Sequence, residues 1–448
     1  HRSSAVTTTY DPFHPKYFVE SDLREELTRV YDLCHGCRLC FKYCTSFPTL
    51  FEYIDAHESQ DAALMTPEQQ DQVVDECFQC KLCYVNCPYI PGQSEWNLDF
   101  PRLMMRADQV LFRTRKKSLK DKLTDKALGS TDLVGKVGSA LAPVVNRAVD
   151  TPGSGTRKLM EKTVGIAEER VLPPYQKVRF STWFKGRTSQ VRGEKKGTAA
   201  VFPTCLVEYQ DTRVGKDLVG VYEHNGIACD LPEGQVCCGA PLLHQGDVES
   251  FTKSARKNIA VLAKWIRTQR GRGEEPAVVV PQPTCGYILK KDYVDYVGGP
   301  DAQLVAEHTY DAAEYLMKVH KDDKDAGGEG LDREFSGPVP ETTTYHAPCH
   351  LRAQNIGLKS RDLMKLTGTK ITLVAECSGI DGTWGLRETN VEIARGVAQK
   401  MAEAITRAGS EAVAGDCSLA NGGIVLETGT QPVHPLSLVA RAYGLPED

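Results

Sequence analysis

The chain has 448 residues, 41% hydrophobic and 25% charged, a composition that suits roughly three folded units and excludes global disorder and collagen-like or mucin-like character. Its 54 Lys and Arg against 59 Asp and Glu leave a net charge of −5, which gives no whole-protein reason to expect nucleic acid as a partner. No apolar run approaches the ~18 residues of a membrane-spanning helix, and residues 1–20 lack the apolar core of a secretory signal. A cytoplasmic protein is therefore expected. The unusual count is cysteine. Of sixteen, eight crowd between Cys34 and Cys87, in a chain far larger than a disulfide-stapled secreted domain, so metal or redox chemistry is the first expectation.

Residues 1–20 read as a loose arm. Asp22 with Glu25 three positions on predicts a capping box opening a helix, on which Leu23, Leu27, Val30 and Cys34 share a face. A second start falls at Thr66-Pro67-Glu68-Gln69, with Thr66 as cap, Pro67 at the first helical position and Gln69 completing the box. Val73, Val74 and Cys77 then line one side. Each of two cysteine groups thus ends a helix, and residues 21–105 are expected to form a small all-α domain. Residues 106–196 read as a basic helical linker, with Arg113, Arg115, Lys116, Lys117, Lys120, Lys122 and Lys126. Downstream, Leu133, Val137, Leu141, Val144 and Ala148 recur at helical spacing, while Gly135, Gly138 and Pro143 weaken that helix. Two readings stay open: a helix lying on a bilayer beside a cationic patch, or a solvated linker with a helix docked on the protein's own core.

From residue 197 short strands alternate with helices, an α/β pattern that is internally duplicated. The first copy, 197–321, runs from the strand Thr198–Phe202 to Cys205, then Cys237-Cys238-Gly239, the strand Ala277–Val280, Cys285 and His308–Asp311. The second, 341–448, repeats the order with Thr343–Tyr345, Cys349, Cys377-Ser378-Gly379, Ala412–Ala414, Cys417 and His434. Residues 322–340, rich in Gly, Asp and Glu, read as a linker.

Cys34, Cys37, Cys40 and Cys44 have the spacing C-x2-C-x2-C-x3-C, and Cys77, Cys80, Cys83 and Cys87 repeat it with Pro88 following. Two-residue gaps wrap three thiolates round one tight loop, each facing a different iron of a cubane, so the fourth sulfur must come from elsewhere. Zinc wants cysteines in separated pairs and does not explain two triplets with trailing fourths. The runs resemble those of two-cluster ferredoxins, in which the last cysteine of each run ligates the other cluster. That resemblance assigns Cys34, Cys37, Cys40 and Cys87 to one 4Fe-4S centre and Cys77, Cys80, Cys83 and Cys44 to its partner. The 32 residues between Cys44 and Cys77 fit the ferredoxin modules of respiratory dehydrogenase iron-sulfur subunits better than a compact bacterial ferredoxin. Thr45, where proline is usual, is a departure.

Cys205, Cys237-Cys238-Gly239-Ala240-Pro241, His346-Ala347-Pro348-Cys349-His350 and Cys377-Ser378-Gly379 look like the cysteine-rich CCG repeats of the heterodisulfide reductase B subunit. With the ferredoxin half in front, the chain resembles CCG-domain iron-sulfur oxidoreductases such as the C subunit of anaerobic glycerol-3-phosphate dehydrogenase, the glycolate oxidase iron-sulfur subunit and the fused C and B subunits of heterodisulfide reductase. The resemblance implies an all-α dicluster domain followed by an α/β domain of two CCG repeats. It implies electron transfer between a flavoprotein dehydrogenase and a quinone, with the cytoplasmic face of the membrane as the place of exchange. It also implies departures. Gln282 stands where the full motif has a cysteine, which counts against a five-thiolate cluster. Cys205, Cys237, Cys238 and Cys285 remain for one 4Fe-4S centre. In the second copy Ser378 replaces a cysteine, so Cys349, Cys377 and Cys417 are left for a cluster with an open or non-cysteine fourth ligand, for zinc with His346, His350 or His434, or for nothing. Cys229 matches no motif and reads as core. Gly36, Gly239, Gly286 and Gly379 beside the thiols are read as allowing close approach of the main chain to sulfide. No nucleotide fingerprint or protease-like triad stands out, so no catalytic residue is expected. The rival readings are a disulfide reductase acting at a CCG cluster, an electron donor to a peroxide-scavenging di-iron protein, and a zinc-stabilised interaction module.

Overall fold

The computed structural model describes residues 10–380 and 382–446; residues 1–9 of the expected arm lie outside that range. The chain divides into two compact units, residues 1–118 with 241–251, and residues 119–240 with 252–448.

Among the described residues the first unit is helical throughout, with helices Glu20–Cys37, Ser46–Asp55, Pro67–Asp75, Leu82–Val85 and Phe100–Thr114. Leu23, Leu27 and Val30, one turn apart on the first helix, are fully buried against Leu50, Ile54, Val73, Leu103 and Met104. The helix at Pro67 begins as its sequence requires: Gln69 N–H donates to Thr66 Oγ1 at 3.3 Å, and Thr66 N–H donates to Gln69 Oε1 at 2.9 Å. The expected box at Asp22 does not form. The first helix starts earlier, at Glu20, with Val19 as an uncapped N-cap. Asp22 instead lies 3.6 Å from Nη2 of Arg106, a guanidinium with no exposed surface. That same group corrects the reading of a loose arm over residues 10–19, because it donates to the carbonyls of Tyr17 at 2.7 Å and Lys16 at 2.9 Å, and Tyr17 is fully buried. The boundary expected at 105/106 falls inside the helix Phe100–Thr114, whose buried face continues through Val110 and Leu111.

The second unit carries two parallel sheets. The first orders its strands β2-β1-β3-β4, with β1 Gly197–Val201, β2 Ile227–Asp230, β3 Pro276–Val280 and β4 Thr309–Asp311. The second orders them β6-β5-β7, with β5 Thr342–His346, β6 Lys370–Val374 and β7 Ala412–Gly415. β3 is buried along its whole length, as its unbroken apolar run requires of a central parallel strand. In each sheet the first strand lies in the middle with its successors on opposite sides, so the chain reverses direction of winding at β1 and at β5. The carboxyl ends of such strands are where open α/β sheets form their crevice. The last helix, Pro435–Ala442, joins the core of the first sheet through Leu436, Val439 and Ala440, so an element of the second repeat completes the core of the first.

Residues 119–196 are not a solvated linker. They fold into helices Leu119–Gly129, Thr131–Ala140, Ala142–Val149, Gly155–Val164 and Phe180–Gly186 within the second unit. The single helix expected over Leu133–Ala148 is broken at Leu141, ahead of Pro143. Gly135 and Gly138 are packing positions: a Cβ on Gly135 would sit 2.3 Å from the Tyr209 ring, and one on Gly138 would sit 2.7 Å from that of Tyr175. Among the described residues no helix is long and apolar enough to cross a membrane.

Candidate metal centres

The helix Glu20–Cys37 carries Cys34 and Cys37 in its last turn, then releases the chain through Arg38 in a left-handed conformation to Cys40 and Cys44. The second run follows the helix Pro67–Asp75 in the same way, with Gln79 and Lys81 left-handed on either side of Cys80. These turns fold each triplet round one point. The thiols of Cys40, Cys87 and Cys37 all face Cys34 and, after burial itself, are what raise its pKa. Burial, then Cys87 and Cys37, push Cys40 up to about 12. In the second group Cys44 and Cys80 act on Cys77, and Cys80, Cys77 and Cys44 on Cys83. The fold therefore brings Cys87 to the first triplet and Cys44 to the second. One cavity between Phe47 and Tyr89 is lined by Cys34, Cys37, Cys40 and Cys87, and also by Cys83 of the second group.

Cys205, Cys237, Cys238 and Cys285 meet at the carboxyl ends of β1, β2 and β3. Cys205 is in the first turn of the helix after β1, preceded by Thr204 at φ 56°, a left-handed value rare for a β-branched residue. Cys238 Sγ lies 3.2 Å from Cys285 Sγ. Cys237 is the thiol pulled down, first by the Cys205 and Cys238 thiols and also by the Gly239 N–H, while the same contacts push Cys205 and Cys238 up. Gly239 takes φ 89° to aim its N–H at Cys237 Sγ, 3.5 Å away, and Gly379 repeats this at φ 65° and 3.4 Å from Cys377 Sγ. A Cβ on Gly379 would fall 1.9 Å from the Ala394 carbonyl, so that position admits only glycine.

Asp132 was not legible as a site residue, nor was the bonding of Gln282. Asp132, in the stretch read as linker, accepts from Cys237 N–H at 2.8 Å and from Tyr209 O–H at 3.1 Å. Burial, more than any neighbour, raises its carboxyl pKa. The signal that could have found it is Gly135, one turn along the same helix, a glycine kept for packing rather than flexibility. Gln282 is 2% exposed and bonded twice to the second repeat, donating to Ser418 Oγ at 2.8 Å and accepting from Ser418 N–H at 3.2 Å. The place of the missing thiol is thus filled by an amide joining the repeats. Beside Cys205 and Cys237 opens a polar cavity of about 340 Å³, walled by Asp132, Lys136, Arg179 and Tyr209.

In the second repeat Cys349 opens the helix after β5, Cys377 follows β6 and Cys417 caps the helix after β7. Of the three histidines considered with them, His434 has both ring nitrogens engaged, Nε2 with the Pro281 carbonyl at 3.1 Å and Nδ1 with Leu436 N–H at 3.2 Å. It is a structural histidine. His350 Nδ1 pairs with Thr284 Oγ1 at 2.8 Å. His346 Nε2 meets the Glu376 carbonyl at 3.0 Å, while its buried Nδ1 has no hydrogen-bond partner, and burial lowers its pKa to about 4. Cys229, on β2, is buried in the apolar core.

All sixteen cysteines are free thiols. Buried thiols that crowd one another and raise each other's pKa are unfavourable as a bare set, and a bound cationic group that takes them as thiolates relieves the conflict. Among the described residues no three His, Cys, Asp or Glu side chains are set to hold a single ion. The donor set, thiols gathered in threes with a fourth brought from the other run, fits iron-sulfur clusters.

Comparison with known proteins agrees. Residues 33–90 match a 4Fe-4S dicluster domain, and residues 199–290 and 343–419 each match the cysteine-rich CCG domain. These define a CCG-domain iron-sulfur protein of the electron-transfer kind. The chain is homologous to the C subunit of anaerobic glycerol-3-phosphate dehydrogenase from Escherichia coli K12, 28% identical over 342 residues that cover 75% of this chain and 82% of the relative. It is also similar to the B subunit of fumarate reductase (CoM/CoB) from Methanothermobacter marburgensis, 29% identical over 50% of this chain and 41% of that protein. Lactate utilization protein A of Bacillus pumilus is 27% identical over 48% of this chain and 86% of its own length.

Proposed function

We propose that the chain passes electrons between a flavoprotein dehydrogenase and a quinone pool through two 4Fe-4S centres, held by Cys34, Cys37, Cys40 and Cys87 and by Cys77, Cys80, Cys83 and Cys44, and a third held by Cys205, Cys237, Cys238 and Cys285. The observation that carries this reading is the interleaving of the two runs, with Cys87 among the first thiols and Cys44 among the second. The clusters supply one-electron storage; the chain's residues hold them, keep water out and aim N–H groups at sulfur. Anaerobic iron and labile-sulfide content tests it. About twelve irons per chain are expected, about eight would mean the ferredoxin pair alone, and about sixteen would add the second repeat with Cys349, Cys377 and Cys417. A value near zero, or zinc in place of iron, overturns the reading.

A second reading, reduction of a disulfide at the first CCG site, is favoured by the polar cavity reaching Cys205 and Cys237 and opposed by Gln282 in place of the additional thiol. Dithionite-reduced protein that turns over a disulfide without partners would select it. Supply of electrons to a peroxide-scavenging di-iron protein keeps the carrier role and changes only the acceptor.

Exchange with quinone calls for contact with the cytoplasmic face of a membrane. Leu133, Val137, Leu141 and Val144 are 51–70% exposed in a stretch that also carries Lys122, Lys126, Lys136 and Arg147, the pairing of apolar and cationic side chains that suits an anionic bilayer. Liposomes containing anionic lipid are expected to retain the protein at low salt, and Leu133→Ser with Val137→Ser and Val144→Ser to abolish retention. Equal retention of wild type and variant counts against a lipid-facing role for this stretch.

A further inference from the structure

We infer that the first ferredoxin-type set is where this chain exchanges electrons with its flavoprotein partner, which docks an apolar face on a collar of Leu39, Phe41, Tyr89 and Trp96 round the exposed thiol of Cys37. The inference deepens the function proposed above and rests on its ligand assignment. Of the sixteen cysteines Cys37 alone is exposed, whereas Cys80, its counterpart in the second run, is buried. The runs continue as Cys37-Arg38-Leu39-Cys40 and Cys80-Lys81-Leu82-Cys83. Arg38 at φ 54° and Lys81 at φ 64° give both the same left-handed turn. The two leucines therefore leave matched backbones and end differently, Leu82 at 6% exposure and Leu39 at 54%. Neither the motif nor its turn requires a bare leucine, since the same motif buries the other one.

One exposed leucine needs no explanation, but a group of exposed apolar side chains round a ligand does. Leu39 and Tyr89 line one cavity with Cys37. Trp96, 40% exposed, packs on Tyr89 with ring centroids 4.7 Å apart, and Arg29 fixes the main chain there by donating to the Trp96 carbonyl at 2.9 Å. Phe41, 58% exposed, follows Leu39 on the same loop and lies parallel to the Phe51 ring, with 6.2 Å between centroids. Aromatic side chains held in place by the fold before a partner arrives are the anchors that protein interfaces favour, because little ordering is left to be done on binding.

The charges at the rim choose the occupant. Arg38 is paired with Asp55 at 2.5 Å, and Lys42 beside Phe41 is balanced in number by Glu95 beside Trp96, so the collar has no cationic excess. Retention on an anionic bilayer calls for one. An apolar protein surface fits, and a protein seated there comes closer to the first set than solvent-separated contact anywhere else on this unit would allow, because Cys37 is the ligand that reaches the surface.

The complex purified anaerobically through a tag on the full chain tests this. Iron and flavin content of the wild type are read first: fewer than about eight irons per chain overturns the ligand assignment, and absence of flavin overturns the proposed donor. With p-benzoylphenylalanine in place of Leu39, illumination is expected to cross-link the chain to a flavin-containing subunit, while the same group in place of Leu64, 51% exposed and outside the collar, gives no such product. Leu39→Glu with Trp96→Glu is expected to lower the flavin recovered per chain by about tenfold at full iron, with reduction of the clusters by dithionite unchanged. High salt leaves the wild-type complex together, because the contact is apolar. A cross-link from position 39 to lipid or to this chain itself, or no cross-link, overturns the inference, as does a doubly substituted protein that keeps both its iron and its flavin. Should that protein fail to take up iron, Phe41→Glu decides: Phe41 lies outside the cavity of the first set, and unchanged flavin in that variant also overturns the inference.

Discussion

Cys87→Ala is expected to abolish the same paramagnetic signal as Cys34→Ala, and Cys44→Ala the same signal as Cys77→Ala. By position in the chain the pairing should be the reverse, because Cys87 trails the second run and Cys44 the first. In the folded unit the Cys87 thiol acts on Cys34 and Cys40, and the Cys44 thiol acts on Cys77 and Cys83. Each of the four variants loses about four irons per chain, a large effect because an incomplete ligand set leaves a cubane corner to solvent. Iron content alone does not discriminate, so the decisive measurement is which signal disappears. A Cys87→Ala protein that keeps the signal lost in Cys34→Ala would show that the fourth thiolates do not cross.

Gly135→Val is expected to empty the first CCG site while leaving both ferredoxin-type signals intact. The substitution acts through a chain of contacts inside the second unit. A Cβ at residue 135 would overlap the Tyr209 ring at 2.3 Å, and that ring is 4% exposed, with little room to retreat. Its hydroxyl donates to Asp132, which in turn accepts the N–H of Cys237. Tilting the ring breaks the first bond and frees the carboxylate from the second. Overpacking of this kind costs about 1–3 kcal/mol, and a β-branched residue gains little helix propensity to offset it. The measurements are iron content, expected to fall by about four per chain, and the unfolding midpoint of the apoprotein, expected to fall by a few degrees. Gly155→Ala is the control, since nothing lies within 4 Å of a Cβ there. Unchanged iron and unchanged midpoint in Gly135→Val would mean that the helix Thr131–Ala140 does not support the cysteines.

The histidines illustrate how a motif can name candidates without ranking them. His346, His350 and His434 all stand near second-repeat cysteines in the sequence, and only the packed structure separates them. His434 is used up by the Pro281 carbonyl and the Leu436 N–H, whereas His346 keeps one nitrogen without a partner. Strands show a similar division. The strands β1, β3, β5 and β7 follow from short runs that lead to a cysteine, but β2, β4 and β6 were not anticipated. β6 is an edge strand whose residues are mostly exposed, Leu373 among them at 43%, so burial imposes no pattern on it.

What the amino-acid sequence determined by itself is the chemistry: two triplets of thiols at i, i+3, i+6, a duplicated order of strand, cysteine and glycine, and the absence of a cysteine at Gln282 and Ser378. These are local facts, since a two-residue gap dictates how far apart neighbouring sulfurs can sit whatever the rest of the chain does. The tertiary structure decided the partnerships. It delivered Cys87 to Cys34 across more than fifty residues, folded the supposed linker so that Asp132 supports Cys237, set Gln282 as the tie between repeats and buried Lys81 while leaving Arg38 in water. Such contacts depend on which faces are covered once helices and sheets pack, and that is a property of the whole fold.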